Sequence, residues 1–207
     1  FEKVNPNIVL VHGDTTTTFA GSLAAFYKKI CVGHVEAGLR TFNKYYPYPE
    51  EMNRRLTGVL SDYHFAATPL NRQNLLNEGV CKDKIYVTGN TVIDTFKYTI
   101  KEDYVFSDST LNNLDYKGKR VITVTAHRRE NLGKPLENIC KALKFIADAY
   151  KDVHIVYLVH LNPAVRKTAW EILSEHERIS LLDPVDVEQT HNLMKKSYLI
   201  ITDSGGL

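Results

Sequence analysis

The chain has 207 residues, is 43% hydrophobic and carries a net charge of +2. That is enough apolar material for a sizeable core in one large or two small domains, and no basic run or arginine stripe points to nucleic acid. The apolar runs are strand-sized and fall short of a membrane span, and Cys31, Cys81 and Cys140 lack CxxC spacing, so they read as free thiols of a cytosolic protein.

Taken in order, the first strand falls at residues 7–11 and leads into His12-Gly13-Asp14-Thr15-Thr16-Thr17-Thr18. Gly13 permits an unusual turn. Asp14 or Thr15 is placed to cap a helix over 16–28, whose exposed N–H groups favour an anion. Threonines are poor helix formers, so four in a row suggest hydroxyls wanted at a ligand. A second strand, 30–35, ends at Glu36, followed by Gly38 and Arg40. Ligands of open parallel sheets sit beyond the carboxyl ends of the strands, so Glu36 is either a site acid or one half of an ion pair with Arg40 closing the loop. A Tyr- and Pro-rich loop then enters a helix over 50–61 that opens with Glu50 and Glu51. Acidic residues there suit the helix dipole, and Glu50 with Arg54 has the spacing of an ordinary i,i+4 pair. A strand at 64–67, a helix over 69–78 started by Pro69 and a strand at 85–87 complete this half.

The alternation is interrupted at residues 91–119 by a helix over 92–100 and a polar segment, and it restarts after Gly118. A boundary at 88–90 divides the chain into residues 1–89 and 90–207. Strands follow at 120–125, 154–159, 179–182 and 199–202, with helices over 135–150, 163–175 and 187–196. Such alternation predicts parallel sheets with crossover helices. The fold expected is α/β, two doubly wound Rossmann-like domains facing each other across a cleft. His127-Arg128-Arg129 at a strand's carboxyl end suits a dianion, most simply a diphosphate. Asp203-Ser204-Gly205-Gly206 offers amides and a hydroxyl to a phosphate. His160 ends a strand before Pro163 and either faces the cleft or caps the helix. His64, His154, His176 and His191 carry no expected role. No HExxH, paired-Cys or clustered-Asp spacing marks a metal site, and no GxGxxG supports a nicotinamide cofactor, so neither is expected. The start at Phe1 and the stop just after a strand read as those of a fragment.

These segments occur together as His-Gly-Asp-Thr-Thr-Thr, His-Val-Glu-Ala-Gly-Leu-Arg-Thr, Pro-Glu-Glu-x-Asn-Arg, Thr-Gly-Asn-Thr-Val-Ile-Asp, His-Arg-Arg-Glu-Asn, Val-His-Leu-Asn-Pro and Asp-Ser-Gly-Gly. The series closely resembles the bacterial non-hydrolysing UDP-N-acetylglucosamine 2-epimerases, from about Pro6 to the last residue. The resemblance implies a glycosyltransferase-B type of two-domain fold, with both domains incomplete here. It also implies reversible C2 epimerisation of UDP-N-acetylglucosamine to UDP-N-acetylmannosamine through a 2-acetamidoglucal, serving cell-surface polysaccharide synthesis. Asp14, Glu36 and Glu50 match the family's catalytic acids. His127 matches the residue that meets the diphosphate, and Arg128, Ser204, Gly205 and Gly206 match substrate-binding positions. Arg128 and His160 also match the lining of a second, allosteric UDP-N-acetylglucosamine site. A homodimer is expected of the full-length protein, and inactivity of the fragment alone. Hydrolysing 2-epimerases and transferases of the same architecture are the alternatives.

Overall fold

In the computed structural model, which describes residues 1–204, the first apolar runs become four parallel strands. These are β1 (Ile8–His12), β2 (Cys31–Ala37), β3 (Tyr63–Ala66) and β4 (Ile85–Val87), in that order across the sheet. Each crossover steps to the next strand in the same direction. Right-handed connections then deliver every helix to one face. Accordingly α1 (Thr16–Tyr27), α2 (Glu50–Leu60) and α3 (Pro69–Asn77) cover the row Val11, His34, His64 and Ile85, which register side by side. The opposite row includes Leu10, Gly33, Tyr63, Phe65 and Tyr86, and a side chain at Gly33 would collide with Leu10 and Phe65. Leu10 is 62% exposed on that face and Tyr86 46%.

Thr68 and Thr15 cap α3 and α1 by accepting from Asn71 N and Thr18 N, and Pro69 opens α3 where a missing N–H costs nothing. One departure matters for function. Strand β2 does not end at residue 35 but continues through Glu36 to Ala37, because the chain bulges there: pairing with β3 slips between Val35 and Ala37.

Helix α4 (Thr91–Thr99) contains the division between the compact units Phe1–Asp94 and Thr95–Leu207. The polar segment beyond it holds one element not anticipated, α5 (Ser109–Asn113), which is short but capped by Asp108 accepting from Thr110 N and Leu111 N. Strands β5 (Arg120–Thr125), β6 (Val153–Leu158), β7 (Ile179–Leu182) and β8 (Leu199–Thr202) form a second parallel sheet in the order β7-β6-β5-β8. Here the direction of travel reverses. The helices α6 (Lys134–Ala149) and α7 (Pro163–Leu173) pack one face with Ile122, Val124, Ile155 and Tyr157. Helix α8 (Val187–Lys196) packs the other, where Leu193 joins Phe106, Leu111, Val121 and Val156. This sheet is doubly wound, and the reversal between β5 and β8 is the place where such sheets open a ligand crevice.

The interruption in the alternation thus has a structural purpose. Ser107 N and Oγ donate to Gln189 Oε1, Lys101 N donates to Asn192 Oδ1, and Thr99 Oγ1 lies 2.8 Å from His191 Nδ1. Three buried polar residues of α8 hold the segment against the sheet.

Candidate active site

Two groups of side chains collect the residues singled out in the sequence, one in each unit. In the first, the turn after β1 and the bulge in β2 bring Asp14 and Glu36 together. Gly13 has φ +73° and lies so near the carboxylate that an added Cβ would stand 3.4 Å from Glu36 Oε2. Glu36 itself adopts φ +65°, a conformation that costs a non-glycine residue about 1–3 kcal/mol and concentrates at functional sites. Its carboxylate is 26% exposed and stands 3.4 Å from His12 Nε2. Burial pushes the Glu36 carboxyl above its ordinary value. The charge of Asp14 adds to that rise, whereas His12 and Arg54 oppose it. A carboxyl raised in this way holds a proton more readily, as a general acid–base group requires.

The bland alternatives for these acids fail on their partners. Arg40 does not pair with Glu36; its fork donates to both oxygens of Glu78, each at 2.7 Å. Asp14 does not cap α1, a role that falls to Thr15. It accepts instead from Arg54 Nη1 at 3.2 Å, while its backbone carbonyl accepts from Asn53 Nδ2 at 3.0 Å. Arg54 pairs with Glu51 and not with Glu50. Glu50, half-buried, is the first residue of α2. Within the threonine run, Thr18 Oγ1 donates to His12 O at 2.6 Å and Thr15 Oγ1 accepts from Thr18 N, so these two hydroxyls stabilise the turn.

In the second unit, the segment after β5 and the end of β8 meet at the reversal point. Asp203 Oδ2 accepts from His127 N at 2.9 Å, Arg128 N at 2.8 Å and Asn131 Nδ2 at 2.8 Å. Burial pushes the Asp203 carboxyl up, but these three bonds together outweigh it and leave it below the ordinary carboxylate range. The sequence presented Asp203 as part of a phosphate-facing turn; the fold uses it to shape the loop that carries His127 and Arg128. The His127 ring stacks on His160 with centroids 4.9 Å apart, and His160 Nδ1 accepts from Asn162 N. Both histidines line a pocket of about 190 Å³, together with Thr125, Leu158, Val185 and Ile200. Ser204 N donates to Thr202 Oγ1 at 2.9 Å. Gly205 and Gly206 lie outside the described residues.

A family model described as UDP-N-acetylglucosamine 2-epimerase matches residues 1–207. The chain belongs to that family. It is 60% identical over 207 residues to a relative from Clostridium acetobutylicum, covering 100% of this chain and 54% of the relative. With the UDP-N-acetylglucosamine 2-epimerase of Bacillus subtilis it shares 52% identity over 208 residues, 100% of this chain and 53% of that one. Among solved structures, the UDP-GlcNAc 2-epimerase of Neisseria meningitidis bound to UDP-GlcNAc superposes with a TM-score of 0.92 at 47% identity, covering 99% of this chain and 56% of that one. The S. aureus MnaA–UDP structure gives 0.93 at 53% identity, with 99% and 55% covered. The chain spans about half the length of these relatives and solved structures. Among the described residues, no group of three or more His, Cys, Asp or Glu side chains is arranged to hold a metal ion.

Several residues of this chain owe their place to the fold and carry no signal of it in the sequence. His12 contacts Glu36, and His34 Nε2 lies 2.8 Å from Gly13 O behind the acid turn. Glu51 and Arg54 lie in Pro-Glu-Glu-x-Asn-Arg, but their burial at 0% and 7% exposure has no sequence signature.

Proposed function

We propose that the whole protein of which this chain is a part interconverts UDP-N-acetylglucosamine and UDP-N-acetylmannosamine by inverting C2. The observation that carries the reading is Glu36, a carboxylate held at φ +65° against Asp14, in a chain of this family. The C2 proton is not adjacent to a carbonyl, so an unaided carboxylate is too weak a base to remove it. If the C1–O bond to UDP breaks first, its electron pair leaves on the diphosphate. The sugar becomes oxocarbenium-like and its C2–H turns acidic. A carboxylate takes that proton and a 2-acetamidoglucal remains beside UDP. Delivery of a proton to the opposite face of C2, with UDP re-adding at C1, gives the epimer.

The residues fit these roles. Asp14, Glu36 and Glu50 supply the carboxylates for proton transfer on two faces, and Glu36, with its raised carboxyl, is one of the two proton carriers. The loop held by Asp203 presents His127 and Arg128, whose charge stabilises the departing diphosphate. Ser204, Gly205 and Gly206 bind its phosphates. No redox step occurs, so the reaction calls for no nicotinamide. Arg128 and His160, the latter stacked on His127, are read as lining a second, regulatory UDP-sugar site. The whole protein is read as a cytoplasmic homodimer.

Incubating the full-length protein with UDP-N-acetylglucosamine and separating the products tests the proposal. UDP-N-acetylmannosamine at equilibrium with substrate is the expected result. Free N-acetylmannosamine and UDP would make it a hydrolysing enzyme. Unchanged substrate in the presence of bound UDP would overturn the catalytic reading.

A further inference from the structure

We infer that Glu51 is the positioning residue that ties the proton-transfer acids of the first unit to one another. The inference rests on the proposed epimerisation and on the partners of one buried group. The Glu51 side chain is completely buried, yet its carboxylate is fully engaged: Oε1 accepts from Phe42 N at 3.1 Å, and Oε2 accepts from Thr41 N at 3.1 Å, Arg54 Nε at 2.8 Å and Arg54 Nη2. A buried charge persists only when paired and hydrogen-bonded in this way. Burial pushes this carboxyl up, and Arg54 with the two backbone amides pulls it down further, so it is held ionised.

What those donors are attached to gives the residue its role. Thr41 and Phe42 belong to the stretch that leaves β2 after Glu36, and Phe42 is itself held at φ +62°. Arg54 carries the connection onward, because its third nitrogen, Nη1, donates to Asp14 Oδ2 at 3.2 Å. Asn53, on the same turn of α2, donates to the Asp14 carbonyl. Glu50 precedes Glu51 as the first residue of α2. One buried carboxylate therefore joins the segment bearing Asp14, the segment following Glu36 and the helix that begins with Glu50. Glu51 has no exposed surface with which to touch a sugar, so it acts through Arg54 and the backbone.

Glu51→Gln keeps the shape but sets an NH₂ either against Arg54 and Thr41 N or, flipped, against Phe42 N, so at least one donor loses its acceptor. In the full-length protein we expect kcat to fall about 10²-fold, the effect of an ångström-scale misplacement of reacting groups, with KM and UDP affinity changed less than about threefold. Arg54→Lys, which keeps the charge pair and loses the fork, should reproduce that split and serves if Glu51→Gln impairs folding. A kcat unchanged in both single variants, or a loss confined to KM, overturns the positioning role. Amide hydrogen exchange gives a reading free of turnover: Thr41, Phe42 and the Asp14 turn should exchange faster in Glu51→Gln, with the second unit unaffected. If the wild type does not turn over, the epimerase reading falls on its own; unchanged protection at those amides refutes the anchor itself.

Discussion

Asp203 is never asked to touch UDP, so its replacement tests whether the loop it holds matters. In Asp203→Asn the side-chain shape stays and the charge goes. Three N–H groups, from His127, Arg128 and Asn131, converge on one carboxylate oxygen at 2.8–2.9 Å. Hydrogen bonds to a charged acceptor contribute roughly 1.5–3 kcal/mol and neutral ones about 0.5–1.5, so each of the three weakens by about 1 kcal/mol. If binding must then re-order the loop, UDP affinity should drop by about 1.5–3 kcal/mol, that is roughly 10- to 100-fold. The carboxyl lies below its ordinary value in the folded chain. Its contribution is therefore complete above the unfolded pKa, about 3.9, and fades only as pH falls through the lower folded value, which leaves neutral-pH binding insensitive to it. Calorimetric titration of the full-length protein with UDP measures the effect, with His127→Ala as the comparison. Wild-type affinity in Asp203→Asn, beside a weakened His127→Ala, would refute the claim that this bond set shapes the diphosphate site.

Two further outcomes concern the scaffold of the first unit. Gly38 has φ +86°, and a Cβ there would stand 2.2 Å from Asn71 O, so Gly38→Ala combines left-handed strain of about 1–2 kcal/mol with overpacking of about 1–3. Urea unfolding should report a loss of at least about 2 kcal/mol; a loss under about 0.5 would contradict the geometry. His34 is held neutral by burial, its pKa lowered from 6.5 to about 4. The unfolded chain takes up this proton below its own pKa of about 6.5 while the folded chain refuses it until about 4. Stability is thus complete above the higher value and falls by up to about 3 kcal/mol across that window. His34→Gln should flatten the dependence, and an equally steep acid loss in that variant would rule His34 out as its source.

All eight described strands were legible as short apolar runs between turn and helix signals, although β1, β4 and β8 are buried over only part of their length. Pro69 and Pro163 marked helix starts for the same local reason. What stayed hidden depends on long-range partners. Nothing in Val-Glu-Ala-Gly distinguishes a strand that ends at Val35 from one that bulges through Glu36 and resumes pairing at Ala37. Arg40 looked like a partner for nearby Glu36, yet its carboxylate is Glu78, 38 residues away at the C-cap of α3. Glu50 and Glu51 are chemically identical neighbours; one opens the helix half-buried and the other is its fully buried anchor, a difference fixed by which face of α2 packs. Asp203 likewise read as one more polar residue in a glycine turn, since its three donors lie more than 70 residues upstream. Helix α5 escaped notice because five residues are too few for a periodicity to register.

The most direct test compares full-length wild type with Glu36→Gln, both incubated with UDP-N-acetylglucosamine in deuterated water while the sugar C2 signal is followed by proton NMR. Wild type should place deuterium at C2 of both UDP-sugars. Glu36→Gln should lose at least about 10²-fold in that exchange, the low end of general acid–base catalysis, while binding UDP as wild type does. Exchange at the wild-type rate in Glu36→Gln would remove the bulged carboxylate from the proton transfer and contradict the mechanism built on it.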